Sequence, residues 1–141
     1  MPRVDYATQA PLGDSRSPTG AMQREEPVLA REFLLSTVAS VFEIDAVLLA
    51  QPTRGPARVA LARQVAMYLA HVGCELSYTA IGQMFERDRS TVSHACRLVE
   101  DLRERATFNR AVGMMERAVR AIVKTSPALR RDLELIEARR R

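Results

Sequence analysis

Ser77-Tyr78-Thr79-Ala80-Ile81-Gly82-Gln83-Met84-Phe85-Glu86-Arg87-Asp88-Arg89-Ser90-Thr91-Val92-Ser93-His94-Ala95-Cys96 is the stretch that decides how this chain folds. Ser77 is a good N-cap, and Ile81 and Phe85, four apart, give a short helix two core anchors. Glu86 and Arg87 form a turn. Asp88 can cap the next helix by accepting from the backbone N–H of Ser90 or Thr91. Val92, Ala95, Cys96, Val99 and Leu102 then repeat at helical spacing to about Arg105. A helix, a tight turn and a second helix opening on polar side chains make a helix-turn-helix, whose main use is reading duplex DNA.

Upstream, residues 56–72 predict the helix that supports this pair. Val59, Ala62, Ala66 and Leu69 share a face, and Gly73 is placed to end it. Before it, Gln51-Pro52-Thr53-Arg54-Gly55-Pro56 reads as a loop. A helix is expected from about Pro27 to Val41, with Val28, Phe33, Leu34, Val38 and Val41 near one face, and a short one from Ile44 to Leu49. Downstream, Phe108, Ala111, Val112, Met115, Ala118, Val119 and Ile122 predict a helix over 108–123. Ser126-Pro127 starts a last one with Leu129, Leu133 and Ile136 inward. Strand signals and internal repeats are few or absent, so the fold class is all-α, a helical bundle containing the helix-turn-helix. The expected organisation is a disordered, Pro/Gly/Ser-rich tail over 1–24, a DNA-binding domain over 25–123, and an extra C-terminal helix with a basic end over 124–141.

Charge is uneven. The chain carries a net +4, yet residues 25–53 hold five acids (Glu25, Glu26, Glu32, Glu43, Asp45) against Arg31 alone. A DNA-facing surface therefore belongs to the second part. Lys124, the only lysine, follows no glycine-rich loop, which excludes a P-loop ATPase. No long apolar run at the N-terminus suggests a signal peptide or a membrane span. Two cysteines without an export signal fit free thiols in a reducing cytosol, so the expected location is cytoplasmic, on the nucleoid.

The start of a recognition helix enters the major groove. Arg89 can pair bidentately with guanine, Ser90 and Thr91 can bond base edges, and Asp88 can accept from a cytosine amino group. Arg87 flanks the cap, and His94 lies one turn on. Arg54, Arg58 and Arg63 suit phosphate contacts, with one loop arginine available to the minor groove. Against this stands the ordinary fate of such residues: capping for Asp88 and Ser90, and a solvated face for the arginines. His71, Cys74, His94 and Cys96 do not make a zinc set, because His94 and Cys96, two apart on a helix, diverge. No nucleophile–base pair or carboxylate pair marks an active site, so an enzyme is not expected, nor a cofactor.

At these residues the chain resembles the C-terminal DNA-binding domain of the bacterial replication initiator DnaA. The family pattern runs Arg-Gln-x-Ala-Met-x-Leu, then Ser-x-x-x-Ile-Gly-x-x-Phe, then Arg-Asp-His-Thr-Thr-Val-x-His-Ala. Here it is met by Arg63, Gln64, Ala66, Met67, Leu69, Ser77, Ile81, Gly82, Phe85, Arg87, Asp88, Thr91, Val92, His94 and Ala95. The resemblance covers roughly Pro27 to Val123. It implies groove contacts from Asp88, Ser90, Thr91 and His94, backbone contacts from Arg63 and Gln64, and a loop arginine, Arg54 or Arg58. Arg89 stands where the family has histidine, Ser90 replaces the first threonine, and a Gly-Gly before the Arg is reduced to Glu86 alone. Arginine in place of histidine should favour guanine.

The resemblance implies a free-standing reader of double-stranded DNA that controls replication initiation without ATPase activity, with the initiator or its regulators as further partners. The alternatives are a transcription regulator on the same fold, and a protein-interaction module that competes for the initiator's partners.

Overall fold

The computed structural model describes residues 27–139, so the tail expected over 1–24 lies outside the described residues. Seven helices follow one another: α1 (Leu29–Phe42), α2 (Ala46–Ala50), α3 (Ala57–Val72), α4 (Tyr78–Phe85), α5 (Arg89–Leu102), α6 (Ala106–Thr125) and α7 (Pro127–Arg139). There is no strand among the described residues, in keeping with the all-α expectation.

The central helix is α3. Val59, Ala62, Val65, Ala66, Met67, Tyr68, Leu69 and Ala70 are all buried, so it is surrounded by neighbours. Helix α5 packs on it through Val92, Ala95, Cys96 and Val99; α1, α2, α4 and α6 also lean on it. A polar knot ties three of these helices together. The Tyr68 hydroxyl donates to Glu100 Oε2 (2.7 Å) and accepts from Arg103 (2.9 Å). Arg103 also donates to Glu116 (3.0 Å) and Asn109 (2.6 Å). Helix α7 closes the bundle with Leu129, Leu133 and Ile136 buried. Asp132 accepts from the Ala30 N–H at the start of α1 (2.7 Å), and Glu137 accepts from the Ser77 hydroxyl at the start of α4 (2.9 Å).

The apolar faces expected at the two ends need correction. In α1 the buried residues are Ala30, Leu34, Leu35, Val38 and Ala39, whereas Val28, Leu29 and Val41 are exposed. The alanines let neighbouring backbones approach, a signal that side-chain size hides. In α6 the buried set narrows to Val112, Gly113, Met115 and Val119, leaving Ala118 and Ile122 outside.

The turn between α4 and α5 is set by two backbone facts. A Cβ on Gly82 would lie 2.6 Å from the Arg87 carbonyl oxygen, so only glycine permits this approach. Glu86 ends α4 in the left-handed conformation, φ +56°, where the family pattern has glycine. Two outcomes are expected in chemical denaturation. Gly82→Ala destabilises the fold by at least about 1–3 kcal/mol, because the new methyl meets backbone and not a yielding side chain. Glu86→Gly stabilises it by about 0.5–1 kcal/mol, relief of the left-handed strain exceeding the entropy glycine adds to the unfolded chain. No loss on Gly82→Ala would contradict the described turn.

Candidate nucleic-acid interface

Helix α5 presents its first turns outward. Arg89, Ser90, Thr91 and His94 are exposed while Val92, Ala95 and Cys96 face α3, so the helix is anchored along one side and open along the other. Asp88 is the N-cap residue, but its side chain makes no capping hydrogen bond. This corrects the expected carboxylate cap: the turn is closed instead by the Asp88 carbonyl, which accepts from the N–H of Thr91 (2.9 Å) and Val92 (3.2 Å). The cap at Ser77 is as expected, accepting from the Ala80 N–H (3.1 Å). Between the starts of α4 and α5 lies a hollow lined by Thr79, Gly82, Gln83, Arg87, Arg89 and Thr91.

The arginines divide by what their donors do. Arg63, expected on the surface, is 5% exposed. Its guanidinium donates to the carbonyls of Leu49 (3.0 Å), Leu48 (3.2 Å) and Arg54 (3.2 Å). It therefore satisfies the end of α2 and pins the 51–55 loop to α3. Burial, then the neighbouring Arg87 charge, lowers its pKa from the ordinary arginine value. Arg87 is half-buried and donates to the carbonyls of Phe85 (3.3 Å), Glu86 (3.3 Å) and, across the chain, Pro52 (3.4 Å). The loop is thus held from two sides, by α3 and by the helix-turn-helix. Arg58 is exposed, with its guanidinium on the Phe42 carbonyl at the end of α1. Gln64 is partly exposed, and Arg54 is exposed at the tip of the loop.

Arg89 is different. Its guanidinium lies over the Tyr78 ring, 5.7 Å from the centroid, and forms no hydrogen bond or ion pair among the described residues. The structure thus places Arg89, Ser90, Thr91 and His94 on one open face beside Asp88, sets Arg54 on the loop that Arg63 and Arg87 brace, and withdraws Arg63 from the surface. One residue on the same face escaped the sequence reading. Arg97 is exposed and donates to the Ser93 hydroxyl (3.2 Å). Its position, three beyond His94 and seven beyond Ser90, was the available signal.

Cys74 and Cys96 are buried and free. Burial pushes the Cys74 thiol up to about 12 and the Cys96 thiol up to about 11. No three His, Cys, Asp or Glu side chains converge as a metal site among the described residues. No helix among them is long and apolar enough to cross a membrane.

The family described as the bacterial dnaA protein helix-turn-helix matches residues 32–99. A chromosomal replication initiator protein DnaA 1 of Protochlamydia amoebophila is 36% identical over 92 residues, 62% of this chain and 20% of that protein. A DnaA 2 of Chlamydia trachomatis is 43% identical over 72 residues, 49% and 15% of the two chains. The DnaA of Bordetella pertussis is 37% identical over 91 residues, 63% and 19%. The chain spans a fifth or less of the length of these relatives.

Two expectations follow from the engaged groups. Arg63→Ala leaves buried carbonyls without donors and should cost about 1–3 kcal/mol of folding stability in urea titration, before any DNA is added. An unchanged midpoint would return Arg63 to the surface role. Both thiols have raised folded pKa values, so the unfolded chain releases their protons first. Their contribution to stability is full below the ordinary thiol value and is lost as pH rises from about 9 through about 11 and 12. A pH series of thermal melts should fall over that window and flatten there in Cys74→Ala/Cys96→Ala.

Proposed function

We propose, from the match of residues 32–99 to the bacterial dnaA protein helix-turn-helix family, that this chain is a sequence-specific reader of double-stranded DNA acting in the control of replication initiation. The first turns of α5 enter the major groove. Arg89 contacts a guanine, Ser90, Thr91 and His94 contact neighbouring base edges, and Asp88 accepts from a cytosine amino group. Arg54 reaches the adjacent minor groove from the loop, and Arg58, Gln64 and Arg97 meet phosphates. Arg63 and Arg87 act through the loop they hold.

The observation that carries this reading is the free guanidinium of Arg89. It stands beside Ser90 and Thr91 on an exposed helix start, while Arg63 and Arg87 have their donors on backbone carbonyls. The backbone N–H groups that open α5 add a favourable place for phosphate. The proposed action needs no ATPase: binding alone masks or shares sites with the initiator. The initiator or its regulators are the proposed protein partners.

Selection from a random duplex library tests this. The wild type should enrich one short motif. On that motif Arg89→Ala should cost about 1–3 kcal/mol and relax the preference at one base pair. Arg58→Ala should weaken cognate and random duplexes alike. The logarithm of affinity should fall linearly with the logarithm of salt, with a slope of about 0.9 per phosphate neutralised. Enriched sites clustered in promoters instead of origins would favour the transcription reading. No enrichment would favour a protein-interaction module.

A further inference from the structure

The guanidinium of Arg89 is held by a stack of rings that starts on α3. Arg89 opens α5 and Tyr78 opens α4, so the two helix starts lie side by side with the arginine 5.7 Å over the tyrosine centroid. On Tyr78 packs the His71 ring of α3, with centroids 4.6 Å apart and planes 46° from parallel. His71 is fixed in turn: its Nδ1 lies 2.9 Å from the Leu76 carbonyl oxygen. Tyr78 also offsets part of the rise that burial imposes on the Cys96 thiol. Tyr78 is thus held against α3 through His71. The Arg89 guanidinium has only this ring for a partner among the described residues.

We propose that Tyr78 is the positioning residue that gives this chain its guanine preference, by holding the Arg89 guanidinium over its ring with the N–H fork free. The proposal rests on the DNA-reading function above. A free arginine side chain has large rotamer entropy to lose when it pairs with a base, and its planar fork must lie in the base plane to reach both O6 and N7 of guanine. A ring under the guanidinium confines that plane before DNA arrives and leaves all five N–H donors unpaired, since a cation–π contact uses the charge and not the hydrogen atoms. Arg87, two residues earlier, shows the contrast: its fork is on carbonyls and is unavailable to a base. Tyr78 and Arg89 therefore work as a pair, and His71 sets the tilt of the ring beneath them. The ligand is a G·C pair presented in the major groove opposite the start of α5.

The test compares the wild type, Tyr78→Phe, Tyr78→Leu and Arg89→Ala on the enriched duplex and on copies in which the contacted guanine is replaced by 7-deazaguanine, which lacks the N7 acceptor. The wild type should lose affinity on the modified duplex and Arg89→Ala should not. Tyr78→Leu should bind the guanine duplex about two- to fivefold more weakly, lose most of the discrimination against 7-deazaguanine, and bind random DNA as the wild type does. Tyr78→Phe keeps the ring and should keep the discrimination. Equal losses for Tyr78→Leu on all duplexes, or full discrimination retained, would overturn the proposal. Should Tyr78→Leu fail to fold, the wild type decides by NMR. The carbon-bound side-chain protons of Arg89 should be shifted upfield by the Tyr78 ring in the free protein and remain so on the cognate duplex, and unshifted resonances would overturn it. A wild type that enriches no sequence would overturn the DNA-reading function itself and this proposal with it.

Discussion

Every helix leaves carbonyl groups without partners at its C-terminal end, and the described residues hold seven such ends. This protein meets that constraint with arginine. Arg58 covers the end of α1, Arg63 the end of α2, Arg87 the end of α4 and Arg130 the end of α6. In each case a long side chain from a later segment reaches back to an earlier helix, so one contact satisfies the backbone and ties the two segments together. The favourable sign of a cation near the negative end of a helix dipole adds to the hydrogen bond. Arg63 is the clearest case, since its guanidinium is buried and serves three carbonyls at once.

The consequence reaches the proposed DNA-facing side. The 51–55 loop, which carries Arg54, has no regular structure of its own. Arg63 holds it from α3 and Arg87 from the turn of the helix-turn-helix, by way of Pro52. Loop, turn and α5 are therefore tied together, with the donors of Arg63 and Arg87 on backbone carbonyls. Helix α7 reinforces them from the far end, where Glu137 grips Ser77 at the start of α4.

Much of this was legible in the sequence. The order of helices, the α4–turn–α5 unit and the cap at Ser77 followed from periodicity and capping chemistry, and the ordered match to the family pattern pointed to the helix-turn-helix family whose model matches residues 32–99. The arginines were harder. Sequence displays a charge but not which carbonyls will be orphaned near it, so Arg63 read as a surface cation when it is buried against the end of α2. Asp88 read as a side-chain cap because its type and position fit, while the backbone carbonyl does that work. Tyr78 carried no signal: its meaning comes from His71, seven residues earlier on another helix, and Arg89, eleven residues later. The buried alanines of α1 were missed for a related reason, since close packing favours small side chains that apolar-pattern reading undervalues.

Arginine Nε–H spectra of the full chain, free and on the selected duplex, would separate the inward-turned arginines from the outward-turned ones. The Nε–H of Arg63, bonded to the Leu49 carbonyl at 3.0 Å, should exchange slowly with solvent and stay in place when DNA is added. That of Arg89 should exchange rapidly in the free protein, then shift and become protected on the duplex. A rapidly exchanging Arg63 that moves on binding, beside an Arg89 that does not respond, would contradict the account.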